Sequence, residues 1–249
     1  MSHIPRLFVE QPLASGESIG LPVEQSKYLL RVMRLSQGEP VRVFNGSDGE
    51  WVCELRVDGK AAILVPKTQT RVQTSAPDLT LLFAPIKKAR TDFIIEKATE
   101  LGARAIQPVF TDYTQSNRVR VDRMQSLVIE AAEQTERMDL PTVFDGQKLI
   151  NILAAWNPQM PLIFCDESVD AMPMIKLSDK LRGKGAGLLV GPEGGFSPKE
   201  REMLRHHSFV IPITLGPRIL RAETAVVSAL TLWQSLVGDW QNAPYLPES

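Results

Sequence analysis

The sequence predicts an α/β protein in which a mostly parallel sheet, with helices on both faces, follows a small β-barrel. Three observations support this fold class. Glycine-containing turns separate short apolar runs up to Val65, a polar stretch follows, and strands then alternate with helices up to Asp239. The chain has 249 residues, of which 43% are hydrophobic and 23% are charged, and this composition is typical of globular proteins that bury a core.

The first part of the chain is predicted to form β-structure around one short helix. Glycine supplies the positive φ of tight turns at Asn45-Gly46, Asp48-Gly49 and Asp58-Gly59. The segment Glu24–Arg34 has apolar residues on one side and charges on the other, so we expect an amphipathic helix that covers one end of the barrel. The strands are expected at Arg6–Val9, Val41–Asn45, Trp51–Val57 and Ala61–Val65.

The polar segment Lys67–Asp78 has the composition of a linker, and it divides the chain into domains of residues 1–72 and 73–249. Beyond it, short apolar strands alternate with helical patterns, which is typical of a parallel sheet covered by helices. Strands are expected at Leu79–Ala84, Ala105–Phe110, Leu162–Cys165, Gly187–Val190 and Phe209–Ile213. Helices are expected at Thr91–Leu101, Asp122–Arg137, Met172–Leu181, Pro198–His206 and Glu223–Asp239.

Composition narrows the classes of function. Cys53 and Cys165 lie far apart without CxxC spacing, and the neighbouring His206 and His207 cannot share a helical face, so we expect no metal site. The N-terminus lacks the apolar run of a signal peptide. The longest uncharged stretch, Thr224–Gly238, is too short and too polar to span a bilayer. The protein is therefore expected in the cytoplasm and not in a membrane.

Any binding of nucleic acid must come from local basic clusters. The net charge is −1, which gives no overall attraction for RNA. Scattered, solvated charges are an equally good interpretation of each cluster. The candidate RNA-binding residues are Arg6, Arg31, Arg34, Lys87, Lys88 and Arg90, and a further basic group comprises Arg118, Arg120 and Arg123.

A glycine-rich segment, Gly191–Gly195, is the first candidate for a ligand site. It lies between a buried strand and a helix with Pro198 as its first residue, which Ser197 and Glu200 would cap. Glycine lets the backbone approach a ligand closely, and ligands of open α/β sheets bind at the carboxyl ends of strands. An ordinary turn is the alternative. The segment spells neither GxGxxG nor a P-loop, which argues against hydride transfer and NTP hydrolysis.

A second candidate segment extends from Ile213 to Ala225. Gly216-Pro217 ends the preceding strand, yet Ile219 and Leu220 are apolar in what should be a polar loop. The backbone groups of a buried loop need unusual partners, which favours a ligand site. Alternatively, the two apolar residues only anchor the following helix.

Together the two segments resemble a known family. GPEGGFSPKE at 191–200 and LGPRILRAETA at 215–225 resemble the RsmE family, the 16S ribosomal RNA methyltransferases of the SPOUT superfamily that make N3-methyluridine. Residues 27–51 resemble the PUA-like RNA-binding domain of this family. The resemblance spans nearly the whole chain, because two further stretches agree with it: Phe93–Gly102, with the Gln107-Pro108 that follows, and Glu130–Pro141.

The resemblance implies a SPOUT-type fold with a trefoil knot in the C-terminal domain, a preceding PUA-like β-barrel domain, and a homodimer. Knots are rare exceptions to the usual rules of chain connection. It also implies S-adenosylmethionine as the cofactor and 16S ribosomal RNA or the small ribosomal subunit as the partner. The matching cofactor-binding positions are Val190, Gly191, Pro192, Glu193, Gly194, Gly195, Leu215, Gly216, Ile219, Leu220 and Thr224.

The chemistry of uridine N3 assigns candidate roles to three side chains. N3 carries a proton and is a poor nucleophile until that proton leaves. Arg221 would stabilise the anion that develops on the base, while Glu193 and Glu223 are the candidate bases. Glu223 equally suits the first turn of a helix, and alignment of the methyl group with N3 would also accelerate transfer without a base. The resemblance implies a small residue where this chain has Glu136, and this departure weakens the transfer of any role to the following Arg137.

Two other functions fit the same sequence. One is a SPOUT methyltransferase that acts on another nucleotide of ribosomal or transfer RNA, and it would keep the cofactor loops. The other is a non-catalytic RNA-binding factor for ribosome assembly, which would keep the basic clusters without needing those loops.

Overall fold

The computed structural model describes residues 4–116, 118–166 and 171–242. The chain divides into two units. Unit 1 comprises Met1–Ser75 with Ala132–Leu140, and unit 2 comprises Ala76–Ala131 with Pro141–Ser249. The first division therefore falls close to the end of the predicted linker. Segment 132–140, which the sequence analysis placed in the second domain, belongs to unit 1 instead.

Unit 1 is built on a five-stranded sheet. Its strands are β1 (Arg6–Phe8), β2 (Ile19–Gly20), β3 (Pro40–Phe44), β4 (Glu50–Asp58) and β5 (Ala61–Arg71). They lie in the order β1-β3-β4-β5-β2, in which β1 and β3 are parallel and the other neighbours are antiparallel. Every strand predicted for this region is present. β2 was not predicted because two residues are too few to form an alternating pattern.

The predicted amphipathic helix of unit 1 consists of α1 (Val23–Lys27) and a π-helical turn at Tyr28–Val32. Leu29 is fully buried and packs in one core with Val41 and Leu64 of the sheet. The backbone leaves the helical conformation at Arg34, whose φ of 58° lies in the left-handed region. Because burial of its apolar side holds the helix on the sheet, its charged side faces solvent.

The predicted linker was wrong at its start, because β5 continues to Arg71. Thr68 and Gln69 pair with Val52 and Trp51 of β4. Their side chains are exposed, and a strand with a solvent-facing side tolerates polar residues. Polarity at these positions therefore reflects exposure rather than the absence of regular structure.

A buried arginine joins segment 132–140 to the sheet of unit 1. The Nε of Arg6 donates a hydrogen bond to Oε2 of Glu50 over 2.7 Å. Its two terminal nitrogens donate to the carbonyl oxygens of Ala132 and Arg137, each over 2.7 Å. Burial lowers the pKa of Arg6 below its ordinary value, and the hydrogen bond to Glu50 opposes that shift. The guanidinium thus fastens a segment that is distant in sequence.

Unit 2 is built on a parallel sheet. Its strands are β6 (Leu79–Phe83), β7 (Ala105–Phe110), β8 (Thr142–Val143), β9 (Gln147–Lys148), β10 (Leu162–Cys165), β11 (Met172–Pro173), β12 (Ala186–Val190) and β13 (Val210–Thr214). The order is β11-β13-β10-β12-β6-β7-β8, and β9 also pairs with β7. Each pairing in the described part of this sheet is parallel, so the predicted α/β sheet is confirmed.

Helices cover both faces of this sheet. The helices that begin in unit 2 are α2 (Lys88–Glu100), α3 (Val121–Gln134), α4 (Leu149–Ala155), α5 (Ser178–Leu181), α6 (Pro198–His206) and α7 (Ala222–Leu236). On one face, Phe164 and Leu189 pack in a core with residues of α4 and α6. Successive strand residues point to opposite faces, and Leu188 is buried on the other face, where α7 packs against β12 and α2. No helix within the described residues is long and apolar enough to cross a membrane.

The chain between β10 and β12 departs from the prediction of one helix at 172–181. It forms the short strand β11, a 3₁₀ turn at Met174–Leu177, and α5. Pro173 takes an extended conformation and pairs with β13, and proline is disfavoured inside a helix. Helix α4 was missed, since its first residue follows no side-chain cap that would mark a helix start.

Candidate active site

A cavity of about 480 Å³ lies at the carboxyl ends of β10, β12 and β13. Ligands of open α/β sheets bind at this edge, and the volume falls in the range of small-molecule sites. Its walls are mostly loop residues together with the first turns of two helices. The lining residues are Cys165, Asp166, Ala171, Val190, Gly191, Pro192, Gly195, Phe196, Arg201, Thr214–Leu220, Ala222 and Ala225.

The structure brings the two candidate segments together around this cavity. The first contributes Val190, Gly191, Pro192 and Gly195, and the second contributes the whole stretch from Leu215 to Leu220. Three positions predicted to bind the cofactor do not line it: Glu193, Gly194 and Thr224. Loops that are distant in sequence therefore form one pocket, as the sequence analysis required.

The first segment is held tightly between a strand and a capped helix. Ser197 Oγ accepts a hydrogen bond from the backbone of Glu200 over 3.2 Å, and the Glu200 carboxylate accepts one from the backbone of Ser197 over 2.9 Å. This confirms the predicted capping box. A side chain is not tolerated at Gly191, because a Cβ there would lie 2.6 Å from the Phe196 ring. Gly195 has a φ of 68°, which favours glycine.

Polar side chains on the cavity wall were missed by the sequence analysis. Asp166 follows β10 directly and is buried, and its Oδ2 accepts a hydrogen bond from Arg205 over 2.7 Å. Arg201 projects from α6, with its Nη1 3.8 Å from Oδ1 of Asp166. The position of Asp166 at the end of a buried strand was the one signal that could have found this group. Arg201 carried no such signal.

Cys165 also lines the cavity. Burial raises the pKa of its thiol to about 12, so the thiol is protonated at neutral pH. A thiol in that state is a poor nucleophile, and Cys165 serves as a small apolar part of the wall.

The two candidate bases are found beside the cavity, where they share one arginine. Arg90 Nη1 lies 3.2 Å from Oε1 of Glu193, and Arg90 Nε lies 3.6 Å from Oε1 of Glu223. The other oxygen of Glu223, Oε2, is buried and has no hydrogen-bond partner among the described residues. Arg90 was predicted to bind RNA, but these two carboxylates neutralise its charge.

Arg221 lies at the rim of the cavity. It is the residue that precedes α7, it is exposed, and its neighbours Leu220 and Ala222 both line the cavity. Because it is exposed, the guanidinium of Arg221 can contact a group that enters the cavity from solvent.

Some of the RNA-binding candidates are exposed, and one of them is buried. Arg31 and Arg34 are exposed in unit 1, and Lys87 and Lys88 are exposed at the start of α2. The prediction that Arg6 binds RNA was wrong. Its side chain is 2% exposed and donates hydrogen bonds to Glu50 and two backbone carbonyls, so it cannot contact a phosphate. A strand arginine looks solvent-facing in sequence when its counter-charge lies on another strand.

Comparisons with known proteins identify the family of this chain. A family model described as an RNA methyltransferase domain matches residues 73–234, and another described as an RNA methyltransferase PUA domain matches residues 21–67. The ribosomal RNA small subunit methyltransferase E of Rickettsia conorii is 32% identical over 227 residues, which cover 90% of this chain and 93% of the relative. The chain belongs to the ribosomal RNA small subunit methyltransferase E family.

Two solved structures extend the comparison to the methyltransferase E fold and its cofactor. A Legionella pneumophila protein in complex with S-adenosylmethionine has a TM-score of 0.86 and 26% identity, with 95% of this chain and 99% of that chain covered. The methyltransferase E of Neisseria gonorrhoeae bound to S-adenosylmethionine has a TM-score of 0.82 and 29% identity, with 96% and 100% covered. The predicted α/β fold with a PUA-like first part is thus confirmed.

Proposed function

We propose that this chain transfers the methyl group of S-adenosylmethionine to N3 of a uridine in 16S ribosomal RNA, with the cavity of unit 2 as the donor site. The observation that carries the proposal is the meeting of the two family-specific loops around one cavity at the carboxyl edge of the sheet. Membership of the methyltransferase E family and the bound S-adenosylmethionine of the relatives support it.

The residues around the cavity fit S-adenosylmethionine. Val190, Phe196 and Leu220 offer apolar surface, while backbone groups of the glycine-rich loop lie close to the space that a ligand would fill. A buried donor without a hydrogen-bond partner in the described structure, Nε of Arg201, also belongs to this wall. When bound, the cofactor supplies a methyl group that its sulfonium already activates. The protein's part is to orient the acceptor and to manage the proton of N3.

The positions of the charged side chains favour particular roles. Arg221 is placed on the rim to stabilise negative charge on the uracil ring. Glu223 is a better candidate than Glu193 for accepting the N3 proton, because its side chain is 15% exposed, against 40% for Glu193, and solvent screens it less. Its Oε2 has no described hydrogen-bond partner. That oxygen is buried, so a side-chain rotation must expose it. Without such a rotation, alignment of the reacting atoms and transfer of the proton to water remain the alternative.

A trefoil knot in unit 2 and a homodimer belong to the same proposal. β12 lies between β6 and β10, whereas β13, the next strand in the chain, lies on the far side of β10, and this crossing supports the trefoil knot. Ile219 is 87% exposed although it is apolar and lines the cavity, which supports cover by the second copy of a homodimer. Analytical ultracentrifugation tests the dimer, and a monomer at micromolar concentration would contradict it.

Substrate binding is assigned to unit 1 and to the start of α2. The exposed Arg31 and Arg34 on unit 1, with Lys87 and Lys88 at the start of α2, provide the cations that phosphate contacts need. The reaction takes place in the cytoplasm under this proposal, where RNA of the small subunit is the partner.

Two measurements test the function. Mass analysis of ribosomal RNA from a strain that lacks the gene should show the loss of one N3-methyluridine from 16S RNA. An intact methylation there would instead favour a SPOUT enzyme for another nucleotide. Calorimetry with S-adenosylhomocysteine should detect binding by the pure, folded protein, and its absence would favour the non-catalytic RNA-binding factor.

A further inference from the structure

Arg201 is a charged side chain on the cavity wall, next to Gly195 of the glycine-rich loop. We propose that it binds the carboxylate of the methionine part of S-adenosylmethionine, an inference that rests on the proposed function. Arg201 lies one residue beyond the capping box of α6, and its side chain is 36% exposed. It is therefore held by a well-defined helix start while it remains open to a ligand.

The hydrogen-bonding capacity of this guanidinium is only partly used. Its Nε is buried, and no acceptor for it exists within the described ranges. Its Nη1 is 3.8 Å from Oδ1 of Asp166, which is an ion-pair distance but too long for a hydrogen bond. A buried donor without an acceptor costs free energy, and a side-chain rotation that brings this donor to a ligand acceptor in the cavity would relieve that cost.

Asp166 does not need Arg201 as its main partner. Arg205 donates a hydrogen bond of 2.7 Å to the other carboxylate oxygen of Asp166. Asp166 and Arg205 thus form the short ion pair of the cluster, and Arg201 lies at its edge toward the cavity. The edge position leaves the fork of Arg201 available for a second carboxylate.

The guanidinium of Arg201 packs against the glycine-rich loop at Gly195. A Cβ on Gly195 would lie 3.3 Å from Nη2 of Arg201, so the arginine lies directly against the backbone of the loop. A ligand that follows this loop must pass the guanidinium. The guanidinium of Arg201 therefore places a positive charge beside the glycine-rich loop.

The chemistry of the cofactor selects the group that Arg201 would bind. S-adenosylmethionine carries a sulfonium, an ammonium and a carboxylate, and a guanidinium attracts only the last of these. Arginine presents paired N–H groups that match the two oxygens of a carboxylate, and such charge-assisted pairs are stronger than neutral hydrogen bonds. A lysine at this position would keep the charge but lose the paired geometry.

The test compares two ligands that differ only in the carboxylate: S-adenosylhomocysteine and its decarboxylated form. Calorimetry should show that the unaltered protein binds the first roughly ten-fold or more tightly than the second. Arg201→Gln should remove most of this preference by weakening S-adenosylhomocysteine alone, and Arg201→Lys should restore part of it. Lys199→Gln, an exposed cation on the same helix, is the matched control and should leave both affinities unchanged.

The competing outcomes are distinct. Equal affinities of the unaltered protein for the two ligands would overturn the carboxylate contact and leave the methyltransferase proposal intact. An equal loss for both ligands in Arg201→Gln would show that Arg201 only supports the wall. A selective loss in Arg218→Gln, with none in Arg201→Gln, would move the contact to the other arginine of the lining. If neither ligand binds the unaltered protein, the inference fails together with the proposed function.

Discussion

Gly191 is the position where the smallest possible side chain should damage the cavity most. An alanine Cβ there would lie 2.6 Å from Cε2 of Phe196, whereas ordinary contact begins at 3.4 Å, so something must retreat by about 0.8 Å. Phe196 cannot retreat freely, because it is buried and packs edge-on against Phe164 with ring centroids 5.0 Å apart. Gly191→Ala must therefore strain either the ring or the loop.

The strain sets the size of the expected effect. Overpacking of this kind costs about 1–3 kcal/mol. If the ring moves, the free energy of unfolding falls by that amount. If the loop moves into the cavity, the same energy appears as a roughly five-fold to hundred-fold weaker affinity for S-adenosylhomocysteine. Urea unfolding and calorimetry on one protein preparation together measure both contributions.

Gly194→Ala is the matched control in the same loop. A Cβ at Gly194 would meet Tyr113 at 3.4 Å, which is ordinary contact, and neither glycine has a positive φ. We expect unchanged stability and affinity for this variant, since Gly194 does not line the cavity. If Gly191→Ala changes neither quantity, or if both alanine variants behave alike, the steric reasoning is wrong.

Three further predictions concern charged residues. Glu50→Gln should lower the free energy of unfolding by about 3–5 kcal/mol in urea titrations, because the buried Arg6 would lose its hydrogen-bonded carboxylate and keep only Glu136, 3.7 Å away; a change below 1 kcal/mol would contradict this. Arg221→Ala should abolish most methyl transfer while calorimetry shows an unchanged cofactor affinity, and full turnover would refute its role. Joint replacement of Arg31 and Arg34 by Gln should weaken RNA binding and flatten its salt dependence, whereas an unchanged slope would remove them from the docking surface.

Local patterns in the sequence predicted much of the fold and the place of the site. The strand before Gly191 and the helix after Ser197 were correct because apolar runs and capping residues act over a few neighbours. The same rules failed at Pro173 and in α4, where the chain adopts short elements that tertiary pairing stabilises. The recognised motifs then added the pairing of two distant loops, which periodicity cannot provide.

Local sequence patterns could not predict polar contacts between residues that are far apart along the chain. Arg6 looked like a surface cation, but the carbonyl oxygens that it binds lie 126 and 131 positions further along the chain. Glu136 has a φ of 61° and forms a two-hydrogen-bond ion pair with Arg42 over 2.8 and 2.7 Å. That pair holds Glu136 in a backbone conformation that favours glycine.

The cavity wall shows how a local signal and a distant one combine. The capping box fixes where α6 begins and so determines that Arg201 projects beside Gly195. The box is itself held from outside, because Ser197 Oγ donates a 2.6 Å hydrogen bond to Asp112 and the backbone of Asp112 donates a 2.9 Å hydrogen bond to Glu200. A substitution at Asp112 should therefore loosen the start of α6 and, through it, weaken the preference for the carboxylate that Arg201 is proposed to bind.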